Sequence, residues 1–190
     1  ALLTDPITCM AVLQLASQPA IAVDEAFVRA REALQSFNGI VPLDPPASFT
    51  GTLRDYQRDA LGWFAFLRKF GFGGCLADDM GLGKTVMVIA LLEARRLARS
   101  RPRVKHVPSL AVLPRSLVFN WMEEARRFAP ELTVLDATGA SRDLSQVEGF
   151  DLVLATYGTL RRDIAVLKDV EFDYLILDES QAVKNPATAA

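Results

Sequence analysis

Residues 76 to 85 read LADDMGLGKT, and the last five, Gly81-Leu82-Gly83-Lys84-Thr85, have the types and order of a phosphate-binding turn. Such a turn needs glycines where main-chain N–H groups converge on an anion, and a helix whose positive N-terminal end faces the same point. A lysine there reaches the β- and γ-phosphates, and the hydroxyl residue after it holds Mg²⁺. Lys84 and Thr85 take those places, and Gly81 and Gly83 take the pliant ones. The position where the GxxxxGK[ST] pattern has its first glycine holds Asp78 instead. A carboxylate beside a triphosphate is repelled unless it points away, and the sequence leaves its direction open.

A site of this kind needs an acidic element at the end of a neighbouring strand. YLILDESQ, residues 174 to 181, supplies one: Asp178 as the Mg²⁺ partner and Glu179 as the residue that orients or deprotonates the attacking water. Alone, an acidic pair after an apolar run is ordinary at a helix start. Joined to the GKT turn, it makes Lys84, Asp178 and Glu179 the catalytic groups of a nucleoside-triphosphate site.

These residues need elements to hold them. The runs GCLA (74 to 77), SLAVLP (109 to 114), LTVLDA (132 to 137), DLVLAT (151 to 156) and YLILDE (174 to 179) read as strands buried on both faces. Helical spacings lie between them. Residues 116 to 129 put Leu117, Val118, Trp121, Met122, Ala125 and Phe128 on one face and stop at Pro130. Upstream, residues 52 to 70 put Leu53, Tyr56, Ala60, Trp63, Leu67 and Phe70 on one stripe, and KTVMVIALLEA follows the glycine turn as a helix. The series predicts an α/β fold with a mainly parallel sheet flanked by helices. Further upstream, Asp24 caps a helix carrying Phe27, Ala30, Leu34 and Phe37, with Asn38-Gly39 as its stop. The apolar stretch before it, ITCMAVLQLA, fits a strand or a buried helix equally. Pro42, Pro45 and Pro46 break residues 38 to 52 into a linker. Residues 1 to 48 are therefore expected to be a small N-terminal helical appendage with its linker, and 49 to 190 the main domain.

The 190 residues are 51% hydrophobic with a formal charge of −2, which provides a core but not the global basic surplus of a nucleic-acid binder. The densest basic run, RRLARSRPRVKH at 95 to 106, reads better as cations at a helix C-terminal end than as a DNA patch. Cys9 and Cys75 stand far apart with no histidine cluster, which argues against a disulfide framework or zinc site and for two reduced, structural thiols. His106 has no acidic or cysteine partner nearby in sequence and is assigned no role. No apolar run is long enough to span a bilayer and no leader stands out. A cytoplasmic protein is expected, at the nucleoid in a bacterium or in the nucleus of a eukaryote. The start at Ala1 and the stop after NPATAA read as a piece of something larger.

Taken in order, LRDYQRDALGWF, LADDMGLGKT, LAVLPRSLVFNWMEEARRF, LATYGTLRRD and LILDESQAVKNP closely resemble the Swi/Snf family of superfamily two helicase-like DNA translocases, over residues 49 to 187. The family carries acidic residues before MGLGKT, which accounts for Asp78 and Asp79. The resemblance implies a RecA-like P-loop lobe that uses ATP and Mg²⁺, pairs with a second RecA-like lobe, and binds double-stranded DNA through its phosphate backbone. It implies that Gln57 reads the adenine edge, with Arg54 and Tyr56 shaping that pocket and Gly81, Gly83, Lys84 and Thr85 on the phosphates. Pro114, Ser116, Asn120 and Trp121 fall in a segment implied to lie near the DNA backbone, Trp121 as core packing. Thr156 and Tyr157, with Arg161, match a second such segment. The acidic box departs from the family's common DEAH form, because Gln181 stands where the histidine would be. Glutamine hydrogen-bonds but has no cationic state, so coupling between the ATP and DNA sites is less secure than ATP binding.

The activity implied is ATP-driven movement along duplex DNA, with slow hydrolysis by this chain alone because second-lobe arginines complete the site. Two other classes compete. A GTPase should show an NKxD guanine reader, which VKNP at 183 to 186 is not, and a small-molecule kinase gives no reason for the Gln57 helix. A nucleotide-responsive binding module without turnover is opposed by the intact Lys84, Thr85, Asp178 and Glu179.

Overall fold

The computed structural model describes residues 39 to 79, 81 to 100, 105 to 139 and 142 to 180. The expected helix after Asp24, the apolar stretch before it, and Gln181 lie outside the described residues. The chain divides into two compact units, one of Ala1–Leu43 with Asp55–Lys84, the other of Asp44–Arg54 with Thr85–Ala190.

In the first unit, helix α1 spans Asp55–Phe70, with Asp55 in its first turn and Arg68 and Lys69 in its last, the charge order the helix dipole favours. Ala60, Leu61 and Trp63 are buried along it. The segment before it packs so closely that a Cβ at Gly62 would lie 2.1 Å from the Val41 carbonyl oxygen. Any side chain there would force the two apart. The helix ends at Gly71, whose φ of +68° suits glycine. Its N–H donates to Arg68 O (3.2 Å) and that of Phe72 to Leu67 O (2.8 Å), the paired bonds of a Schellman stop.

The run 74 to 77 corrects an expectation. It belongs to no strand, and residues 72 to 79 carry no regular structure. An apolar tetrapeptide becomes a strand only where a neighbour offers ladder partners, and the run makes no such pairing among the described residues. Gly74 instead closes on α1, where an added Cβ would sit 2.3 Å from Leu67 and 2.6 Å from Trp63. Cys75 is free, in line with the reduced thiol expected, but it is exposed and so fills no place in the core.

The second unit is a parallel sheet with helices. Helix α2 (Lys84–Arg99) leads to β1 (Ser109–Val112), a 3₁₀ turn (Arg115–Leu117), α3 (Val118–Phe128), β2 (Val134–Asp136), a second 3₁₀ turn (Val147–Gly149), β3 (Leu152–Ala155), α4 (Tyr157–Leu167) and β4 (Leu175–Leu177). The strand order is β2-β3-β1-β4. All three pairings are parallel, with Ala111 opposite Leu154 on one side and Ile176 on the other. The central strands β1 and β3 are wholly buried, as their unbroken apolar runs require. Leu110, Val112, Val153, Ala155, Ala137, Val147 and Leu167 form one core cluster.

Three apolar residues do not behave as expected. Strand β4 pairs only with β1 among the described residues, and at this sheet edge Leu175 and Leu177 are 62% and 47% exposed rather than buried. On α3, Val118, Trp121 and Ala125 face inward, but Met122 is exposed, because the buried stripe is narrower than the apolar one.

The proline-rich stretch is irregular, as expected, yet part of it is anchored. Phe49 is buried and stacks on Phe128 with ring centroids 5.6 Å apart, while Thr50 N–H donates to Phe128 O at 2.8 Å. Ser48 donates to Glu93, a fully buried carboxylate on α2 that also takes two hydrogen bonds from Arg96. Burial pushes the Glu93 carboxyl up, but the bonds from Arg96 and Ser48 outweigh it and hold it below the usual carboxylate range. The described cations of the basic run at 95 to 106 are likewise spent on structure. Arg95 forks onto Asp173 at 2.9 and 3.1 Å, Arg96 also binds Glu131 at 2.6 Å, Arg99 lies 3.4 Å from Asp173, and Lys105 meets Glu171 at 2.8 Å. His106 finds partners that are distant in sequence: Nδ1–H donates to Glu148 O at 2.8 Å and Nε2 lies 3.1 Å from Asp151 Oδ1.

Candidate ATP and DNA sites

In the first unit, the glycine turn is held from α1. Tyr56 OH and Gln57 Nε2 both donate to Leu82 O, at 3.0 and 3.2 Å. Gln57 is only 8% exposed, so it is not the ordinary helix-surface residue that its polarity alone would suggest. Gly81 and Gly83 take φ of +84° and +73°, the left-handed region where a side chain is strained. This is the physical need behind the two glycines that remain. Lys84 Nζ donates to Asp78 O at 2.8 Å and to Asp79 O at 3.0 Å. Asp78 therefore serves the lysine through its main chain, which leaves room in the motif for a carboxylate where glycine is usual.

Lys84 is the first residue of α2 and Thr85 the second, so both stand at the helix end where the dipole favours an anion.

In the second unit, Asp178 follows β4 and is held by four hydrogen bonds. Its N–H donates to Val112 O at 2.9 Å. Trp121 Nε1 donates to Oδ2 at 2.9 Å, Glu179 N–H to Oδ1 at 3.0 Å, and Tyr157 OH to the Asp178 carbonyl at 2.7 Å. Each carboxylate oxygen keeps lone-pair capacity beyond its one donor. Hard oxygen donors of this kind suit Mg²⁺. Glu179 holds a φ of +50°, rare for a residue with a side chain and of the sort found at functional sites. Burial, then the charges of Asp178 and Glu179, push the Tyr157 hydroxyl up.

The expected DNA-facing residues divide. Ser116 is exposed in the 3₁₀ turn before α3 and Asn120 in the first turn of α3, Asn120 donating to Glu124 at 3.2 Å, and Arg161 is exposed on α4. Thr156 is the N-cap of α4, its hydroxyl accepting from Thr159 N–H at 3.1 Å in a capping box. Trp121 is 2% exposed, in keeping with core packing, and Arg54 is exposed beside α1. Sequence reasoning missed the bonds of Trp121 and Tyr157 to Asp178. No local pattern signals them.

Comparison with known proteins decides the family. A model described as SNF2-related domain matches residues 56 to 190. The chain belongs to the SNF2-related domain family. Within 74% of its length it is 41% identical to YwqA of Bacillus subtilis (strain 168), a protein whose name gives an ATP-dependent helicase/translocase, and covers 15% of that relative. It is 36% identical to the TATA-binding protein-associated factor MOT1 of Saccharomyces cerevisiae, covering 8% of it. Among solved structures it matches the Sulfolobus solfataricus SWI2/SNF2 ATPase core in complex with dsDNA, at TM-score 0.67 and 39% identity, over 80% of this chain and 30% of that one. The mainly parallel sheet with flanking helices is the RecA-like fold of the SNF2 core. No helix among the described residues is long and apolar enough to cross a membrane.

Proposed function

We propose that this chain is the ATP-binding lobe of a Swi/Snf-type, ATP-dependent translocase or remodeller of double-stranded DNA. The observation that carries the reading is Lys84, first in its helix, under two left-handed glycines and bound to the Asp78 and Asp79 carbonyls, in a chain of the SNF2-related family. The lobe is taken to begin near Phe49, with residues 1 to 48 as appendage and linker. A second RecA-like lobe is its partner in the whole protein. The named activities of the relatives and the duplex in the solved complex support this reading.

In this mechanism Gln57, with Arg54 and Tyr56, receives the adenine edge, and its buried position against Leu82 ties base recognition to the phosphate turn. Gly81 and Gly83 let main-chain N–H groups turn inward, Lys84 neutralises the terminal phosphates, and Glu179 orients the attacking water. Thr85 and Asp178 would hold Mg²⁺, whose chemistry is to neutralise charge on the phosphates. Ser116, Asn120, Thr156, Tyr157 and Arg161 lie in the segments assigned to the DNA backbone, read without base contacts. The compartment follows the source, nucleoid or nucleus.

The experiment is calorimetric titration of the chain with Mg·ATP and Mg·GTP. ATP should bind more tightly, by at least about tenfold, and Gln57→Ala should erase most of that preference. Equal binding of both nucleotides by the unaltered chain would remove the adenine-reading role.

A further inference from the structure

We propose that Trp121 and Tyr157 are positioning residues for Asp178, Trp121 fixing its carboxylate from helix α3 and Tyr157 its main chain from helix α4; the inference rests on the reading of Asp178 as the Mg²⁺ partner. Indole has one polar atom and it can only donate. A tryptophan serving only as core volume, at 2% exposure, could satisfy that N–H with any main-chain carbonyl. Trp121 instead gives it to the Asp178 side chain at 2.9 Å, across 57 residues of sequence. The other carboxylate oxygen is taken by Glu179 N–H, so both oxygens are pinned and the rotamer is set. Tyr157 OH then fixes the Asp178 carbonyl at 2.7 Å, and Val112 O takes its N–H. Four groups hold one residue whose assigned task requires an aimed carboxylate. The helices that supply the two aromatic donors also carry the exposed Asn120 and Arg161. The segments assigned to DNA therefore sit one side chain away from Asp178, a link that does not need a histidine at position 181.

The test has two arms on the ¹⁵N-labelled chain. In the first, the two indole N–H signals, from Trp63 and Trp121, are assigned with Trp121→Phe and followed in Asp178→Asn. The Trp121 signal should move upfield as its acceptor loses charge, while Trp63 stays. An unmoved Trp121 signal overturns the proposal. In the second, ATP affinity is measured with Mg²⁺ and with EDTA. Trp121→Phe and Tyr157→Phe should each cut the Mg²⁺-dependent gain by about fivefold or more, with metal-free affinity near that of the unaltered chain. A gain that is unchanged in Tyr157→Phe and Trp121→Phe, or a parallel fall in both affinities, reduces the two residues to packing. No Mg²⁺-dependent gain in the unaltered chain would instead sink the metal reading itself, leaving the indole arm to report whether Asp178 is held as proposed.

Discussion

Lys84 meets Asp78 through the main chain: Nζ lies 2.8 Å from the Asp78 carbonyl oxygen, and no carboxylate oxygen of Asp78 takes part. Every amino acid has that carbonyl. Asp78→Ala should therefore leave Mg·ATP affinity within about twofold, whereas Lys84→Ala, which removes a charge-assisted contact of roughly 1.5–3 kcal/mol, should weaken it tenfold or more. Calorimetry on both variants checks this, and a tenfold loss for Asp78→Ala would mean the carboxylate itself shapes the turn.

Asp151, 5% exposed, ties the starts of three strands. Oδ2 accepts from Thr133 N–H at 3.0 Å and Thr133 Oγ1–H at 2.7 Å, Oδ1 lies 3.1 Å from His106, and the Asp151 carbonyl accepts from Ser109 N–H at 2.8 Å. Burial alone would raise its carboxyl, but the Thr133 and His106 bonds prevail and hold it below the usual carboxylate range. A depressed folded value means the stabilisation is complete above the unfolded value of about 3.9 and is lost as pH falls through the folded one. Asp151→Asn should cost about 1–3 kcal/mol near neutral pH, and that cost should shrink in acid. Urea unfolding from about pH 7 down to about pH 2 reads it directly; a cost that never narrows would show that the ionised state contributes nothing.

Much of this was legible in the sequence, for reasons that are local. Trp121 and Ala125 sit inward because helical spacing puts them there, and β1 and β3 are apolar on both faces because both faces are covered. What spacing does not carry is the identity of a neighbour. The run 74 to 77 has strand composition but no ladder partner, and Leu175 and Leu177 have core composition at a sheet edge. The bonds from Trp121 and Tyr157 to Asp178 and from His106 to Asp151 join residues 57, 21 and 45 apart, so only the fold brings them together.

Duplex DNA should bind this chain weakly, without sequence preference and with a steep dependence on salt, because the assigned contacts are to phosphate. Arg161, exposed on α4, is the charged member of the set. Arg161→Ala should lower affinity for all duplexes alike and reduce the slope of log K against log salt by about 1. Titration by fluorescence anisotropy over several salt concentrations measures both quantities, and an unchanged slope would take Arg161 out of the contact.

The isolated 190-residue polypeptide should bind ATP yet hydrolyse it very slowly, with no stimulation by DNA. It covers 30% of the solved SWI2/SNF2 ATPase core, and the family resemblance implies that arginines of a second lobe complete the charge around the γ-phosphate. Four arginines among the described residues are already committed to carboxylates. Arg95 and Arg99 are bound to Asp173, Arg96 to Glu93 and Glu131, and Arg142 forks onto Asp163 with both bonds at 2.6 Å. Releasing any of them would leave a carboxylate behind, and at Glu93 that carboxylate is fully buried. An arginine finger is worth about 10³ to 10⁵ in rate, or roughly 4–7 kcal/mol of barrier. Lys84, Asp178 and Glu179 bind and orient, but supply no such mobile cation. Phosphate release should therefore stay near background with and without duplex DNA, and Glu179→Gln should change it little. Robust DNA-stimulated turnover that vanished in Glu179→Gln would show that one lobe suffices, and the role assigned to the second would fall.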